Sequence, residues 1–288
     1  MTTGVSNTAV GFSAMSSVKA GVAVTGCVAI GRDALLGNSS NNTGIDYTVA
    51  IGYQSLYALR TSAGNVAIGK HTGKATLTGA NNVFIGFEAG EAADLDNAVL
   101  IGNKAGKALT TGGSCIAIGS AAMAVHTTGG NNIAIGVGAM DKTDAGSTSL
   151  GSTENVFIGK DSGGGTWTDA ACPYNVAIGN YTMDSALAGA AYNTVLGHNA
   201  ASGITSAAYT VAIGSQAGEG ITSGQSNIAI GHQAMVAHTT GARNIAIGYQ
   251  AMDGTAANDC PTSVDNIFVG YDAGGGTWTT NDCNYNVG

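Results

Sequence analysis

Short apolar triplets recur along this chain, each preceded by a polar residue and closed by glycine, in the pattern Asn-(Val/Ile)-Ala-Ile-Gly. The closing glycines are Gly11, Gly31, Gly52, Gly69, Gly86, Gly102, Gly119, Gly136, Gly159, Gly179, Gly197, Gly214, Gly231, Gly248 and Gly270. Half of the intervals between them are equal, as from Gly52 to Gly69 and from Gly69 to Gly86, and the longest runs from Gly136 to Gly159. The residue before each glycine is Ile, Leu or Val, and the residue three after it is Ala, Ser or Thr. A near-constant short period marks a repeat architecture. Each triplet is β-prone and reads as a short strand, and the glycine permits a bend that a side chain would resist. One such unit cannot bury its own apolar face, whereas stacked units do, each lending strand hydrogen bonds to the next. The pattern therefore predicts an all-β fold, a parallel β-solenoid of about fifteen short coils spanning 1–288 as a single repeat domain. At roughly 4.8 Å per coil, the parallel strand spacing, the stack is expected to be a rod on the order of 70 Å long.

A longer period overlies the first. Gly119, Gly136 and Gly159 match Gly231, Gly248 and Gly270, each pair displaced by almost the same stretch of chain. Gly163-Gly164-Gly165-Thr166-Trp167 likewise matches Gly274-Gly275-Gly276-Thr277-Trp278. Six coils thus form a larger unit whose long coils are expected to project loops on one side. The chain breaks off inside a motif at Asn284-Tyr285-Asn286-Val287-Gly288, as expected of a segment of a longer fibre.

Strand side chains alternate between faces. Taking Val and Ile as the inward pair leaves the central position outward. That position is Ala in most coils and Phe84, Leu100, Phe157, Val195 or Phe268 in others. A strand apolar on both faces fits packing against a second copy, and closed symmetry favours a homo-oligomer. These five residues are the expected intersubunit contacts, with a covering sheet of the same chain as the alternative.

Composition narrows the function classes. Charged residues are only 10% and the net charge is −8. With ten scattered Lys and Arg, no nucleic-acid partner is expected. No apolar run is long enough to span a membrane as a helix, so no membrane insertion is expected. Gly is abundant but lacks the every-third-residue period of collagen. Acidic residues do not recur as a fixed pair of the kind a polysaccharide-cutting spike needs, so no enzymatic activity is expected. Gly64 to Lys70 mimics a phosphate loop only by repeat coincidence.

The candidate chemistry is sparse. Trp167 and Trp278 follow glycine triplets. One reading has them exposed and stacking on sugar rings, with Tyr174 and Tyr285 close by, and the other has them capping an apolar corner. His126 and His238 occupy equivalent Thr-rich turns, where solvated rings are expected and no metal site is called. No cofactor is called either. The cysteines are odd in number, Cys27, Cys115, Cys172, Cys260 and Cys283, with only Cys260 and Cys283 placed for an intrachain bond. The recurring Asn, present in ten of fifteen motifs, is expected to form a hydrogen-bonded ladder along the coils.

The motif Asn-Val-Ala-Ile-Gly-x-x-Ala, clearest at Asn65 to Thr72, Asn132 to Ala139, Asn227 to Ala234 and Asn244 to Ala251, resembles the YadA-like head repeat of trimeric autotransporter adhesins and of phage and viral tail fibres. The resemblance covers essentially the whole chain. It implies a left-handed β-roll, a homotrimer around a threefold axis, and attachment to a surface through a receptor or glycan. The common coil length and the Thr-Thr-Gly turn are closer to the phage-like repeats. The first expectation is therefore a phage or viral tail-fibre shaft or receptor-binding region, extracellular or on the virion surface. A bacterial adhesin head is the second, and a filament subunit or an ice-binding solenoid the further alternatives.

Overall fold

The structure is a computed structural model that describes residues 4–18, 22–37, 43–143, 152–168, 170–254, 262–276 and 287. It is an all-β parallel solenoid with one short strand per coil and no helix among the described residues. The chain divides into two compact units, Met1–Gly138 and Ala139–Gly288. The first carries strands β1 (Thr8–Val10) to β8 (Ile133–Ile135), and the second β9 (Val156–Ile158) to β15 (Ile267–Val269). Within each unit every strand pairs in parallel with the next in sequence, equivalent residue on equivalent residue.

The strands face the opposite way from the sequence expectation. The central residue of nearly every strand is fully buried within the single chain, including Ala29, Ala67, Phe84, Leu100, Phe157 and Ala212, all at 0% exposure. Val195 and Phe268 are buried as well. The five expected intersubunit residues therefore belong to the solenoid interior, and the flanking Val and Ile form the outer face. The physical reason is the narrowness of so short a coil. In the turn that follows the strand runs a column of buried small residues, among them Ala34, Ser55, Ala105, Ala122 and Thr182, three positions after the motif glycine, and the Ser55 hydroxyl donates to the carbonyl of the strand-centre residue Ala67 at 2.9 Å. Two β-branched side chains per coil do not fit in that interior beside this column, but a single central side chain does.

A third column, four positions after the glycine, fills the remaining space by matching volumes. Where the strand centre is Ala, this position is usually large, as in Ala29 with Leu35, Ala50 with Leu56, Ala117 with Met123 and Ala177 with Met183. Where the centre is Phe or Leu, it is glycine, as in Phe84 with Gly90, Leu100 with Gly106, Phe157 with Gly163 and Phe268 with Gly274. A Cβ added to Gly106 would lie 2.8 Å from both methyl carbons of Leu100. The two departures, Ala67 with Gly73 and Ala212 with Gly218, are filled by Phe84 and Leu56 and by Ile221.

The polar groups of the coil are satisfied by stacking. Asn82 donates its backbone N–H and its side-chain amide to the same acceptor, the Asn65 Oδ1, each at 3.0 Å. The Asn82 Oδ1 in turn accepts from Ala98 N at 2.8 Å. The ladder recurs through Asn155, Asn175, Asn193 and Thr210, and through Asn227, Asn244 and Asn266. The expected Asn ladder is thus present, and it is structural. Cys27, Cys115 and Cys172 are buried free thiols, all pushed up in pKa chiefly by burial. Cys260 and Cys283 lie outside the described residues.

Candidate functional site

Three surface features remain once the interior is assigned. The first is the outer face of the sheet. Within each unit the residues flanking each buried strand centre form two columns of Val and Ile. Strand geometry sets these columns roughly 4.8 Å apart between coils and about 7 Å apart across the strand. Val10, Ile30 and Ile68 are exposed in the first unit, and Val176, Ile178, Leu196 and Ile247 in the second. Leu196 leaves 48% of its surface open. A solenoid whose outer face met only water would carry Thr, Lys or Gln here, because alternation is free to put polar residues outward.

The second feature is a set of aromatic ladders at the sheet edges, which sequence reading missed. Tyr174 stacks on Tyr192 at 4.9 Å between ring centroids, and Tyr192 on Tyr209 at 5.1 Å. These residues immediately precede the Asn position and are exposed. At the other strand end His232, Tyr249 and Tyr271 stack at 5.4 and 5.1 Å. The signal was available, since Tyr occupies the same motif position at 174, 192 and 209, and in-register coils convert equal position into ring contact.

Tyr174 is therefore on the surface, but Trp167 is not. It is fully buried, its indole Nε1 donates to the Gly163 carbonyl at 3.1 Å, and its ring packs tilted against Phe157 at 5.7 Å. Of the two readings of this residue, the corner cap is the one found, and no ring face is left for a sugar. Trp278 and Tyr285 lie outside the described residues. His126 and His238 are likewise buried rather than solvated, with Nε2 3.3 and 3.1 Å from the side-chain amides of Asn132 and Asn244. Burial holds the His238 ring below the ordinary histidine pKa.

No family model matches the chain, and no curated protein matches it.

The third feature is a charged strip in the first unit, five to six positions after the motif glycines. A shallow groove of about 540 Å³ is lined by Tyr57, by Ala75, Ala92 and Ala108, and by Lys74, Glu91 and Lys107. Three consecutive coils supply charges in register here, His71 and Lys74, then Glu88 and Glu91, then Lys104 and Lys107. Lys107 Nζ donates to Glu88 Oε2 at 2.6 Å and lies 3.4 Å from Glu91 Oε2. That hydrogen bond holds the Glu88 carboxyl below its usual range. His71 Nδ1 is 3.8 Å from Glu91 Oε1. Burial, then the charges of Lys74 and Lys70, lower the His71 pKa. Among the described residues no helix is long and apolar enough to cross a membrane.

The second unit carries an acidic corner instead, at Asp141, Asp161 and Asp184. Burial first, then the charge of Asp161, pushes Asp184 up to about 6, with Asp141 adding to the rise and Lys142 opposing it. A carboxyl raised in the folded state favours folding when protonated, so its contribution is greatest below about pH 4 and is lost as pH rises through about 6. Asp184→Asn is expected to melt higher than the parent at pH 8 and to lose that advantage by pH 4, read from thermal melts across this range. A difference that stays constant with pH would show that Asp184 is not held up in the fold.

Proposed function

We propose that this chain is a structural and adhesive fibre segment that associates as a homotrimer through its outer Val and Ile columns. The observation that carries this reading is the aliphatic face described above, repeated coil after coil. Contiguous apolar patches beyond a few hundred Å² are rare on soluble monomers and mark interaction surfaces. An in-register face of identical units suits a copy of itself, and closed symmetry ends the association at a finite number. The number three rests on the resemblance of the repeat to YadA-like heads. The same resemblance supports a phage or viral tail fibre, outside the cell or on the virion surface, that meets a host through a receptor or glycan. A bacterial adhesin head would use the face in the same way. In this reading the work is mechanical and adhesive, with no catalytic role. The exposed edge ladder of Tyr174, Tyr192 and Tyr209, with its row of phenol groups, supports contact with a glycan.

The test is the native mass of the full chain by mass spectrometry or light scattering. The expected result is three times the 28.2 kDa chain mass. Ile178→Lys with Leu196→Lys, which puts charge on half-exposed outer positions, is expected to shift the particle to a single chain that keeps its β-sheet signal. A stable monomeric parent would overturn the proposal.

A further inference from the structure

We propose that His71, Glu88 and Glu91 form a divalent-metal site of the zinc class, and that the Lys107 ammonium group occupies it when no metal is bound. The three side chains each offer a ligand atom, and these atoms all lie within 4.8 Å of one another. They come from two consecutive coils, His71 from the one closed by Gly69 and both glutamates from the one closed by Gly86. Both carboxylates already converge on one cation, because Lys107 Nζ sits 2.6 Å from Glu88 Oε2 and 3.4 Å from Glu91 Oε2. The position is thus a built cation site holding an internal occupant.

That occupant is displaceable. The Lys107 side chain is 38% exposed, and ion pairs at such exposure contribute little to stability. Lys107 also lines the groove, which gives the displaced ammonium group room to move toward solvent. An imidazole nitrogen with two carboxylate oxygens is a donor set for zinc-like ions, whereas calcium and magnesium prefer oxygen alone. The His71 ring packs against Tyr53 at 5.4 Å, which fixes its orientation. Lys70, Lys74 and Lys104 stand nearby and oppose a second cation, so the affinity is expected to be modest.

The experiment is zinc chloride titration of the full chain by calorimetry, beside Lys107→Met, His71→Ala and the double variant. One zinc is expected per chain at this site in the parent. Binding is expected to tighten by at least about tenfold in Lys107→Met and to be lost when His71→Ala is added. Calcium chloride is expected to give no comparable heat. Because bound metal stabilises the folded state, zinc should raise the melting temperature of the parent and of Lys107→Met but not of His71→Ala. That readout also shows whether each variant is folded. Zinc uptake unchanged by His71→Ala, no uptake by the parent at millimolar zinc, no tightening in Lys107→Met, or equal binding of calcium would each overturn the proposal.

Discussion

Leu100→Ala is expected to destabilise the first unit by about 2–5 kcal/mol, and Gly106→Met in the same chain to restore much of that loss. Alone, Gly106→Met is expected to cost about 1–3 kcal/mol by overpacking, because the new Cβ meets the Leu100 methyl carbons. The backbone is not the obstacle, since Met123 occupies the equivalent position of the next coil at φ 52°, against 56° at Gly106. Together the two changes rewrite this coil as its neighbour, which has Ala117 at the strand centre and Met123 four positions past the glycine. A double-mutant cycle by chemical denaturation is therefore expected to show a favourable coupling of at least about 1 kcal/mol. Additive losses would mean that the two columns do not share one space.

The motif glycine is constrained differently. Gly214 has φ +133°, and a Cβ there would lie 2.6 Å from the carbonyl oxygen of Gly231 in the following coil. The obstruction is backbone, held in place by the strand pairing on either side, so it does not give way as a side chain does. Gly214→Ala is expected to cost at least about 3 kcal/mol, combining local strain with a displaced coil. Gly44→Ala provides the contrast. Its φ is +68° and nothing lies within 4 Å of the added carbon, so about 1 kcal/mol is expected. Equal losses at the two sites would show that close stacking of the glycine column is not what the motif protects.

Much of this architecture is written in the period. The strand positions, the parallel stacking, the small residue three after each glycine and the Asn ladder all follow from a repeat that cannot bury itself alone. The orientation of the strand does not follow from apolar character, because Val, Ala and Ile are all apolar. The deciding information is a size relation between two columns of the coil, Leu100 with Gly106 or Ala177 with Met183, which only interior packing makes meaningful. Trp167 misleads for a related reason. A glycine triplet suggests an exposed loop, whereas Gly163 is there to leave room for Phe157, whose ring the indole then covers. The corners were also hidden. Most coils place non-glycine residues such as Asn81, Glu88 and Met123 at φ between about 50° and 60°, a conformation sequence reading assigns to glycine. The His71, Glu88 and Glu91 cluster is not legible in the sequence, because its members lie far apart along the chain until register brings them together.

One property of the strand pairing bears on how such a chain changes over generations. Val83 pairs with Val99 across a short coil, and Ile245 with Ile267 across a much longer one, in the same phase. Coil length is thus decoupled from register, and extra residues are taken up away from the strand. Gain or loss of a whole coil preserves every pairing rule, whereas a shift of one position inside a triplet would turn its aliphatic side chains into an interior with no room for them. Recombination between coils is accordingly the tolerated route of variation. The matching blocks that end at Trp167 and Trp278 have the form that duplication of a six-coil cassette, followed by divergence, would leave.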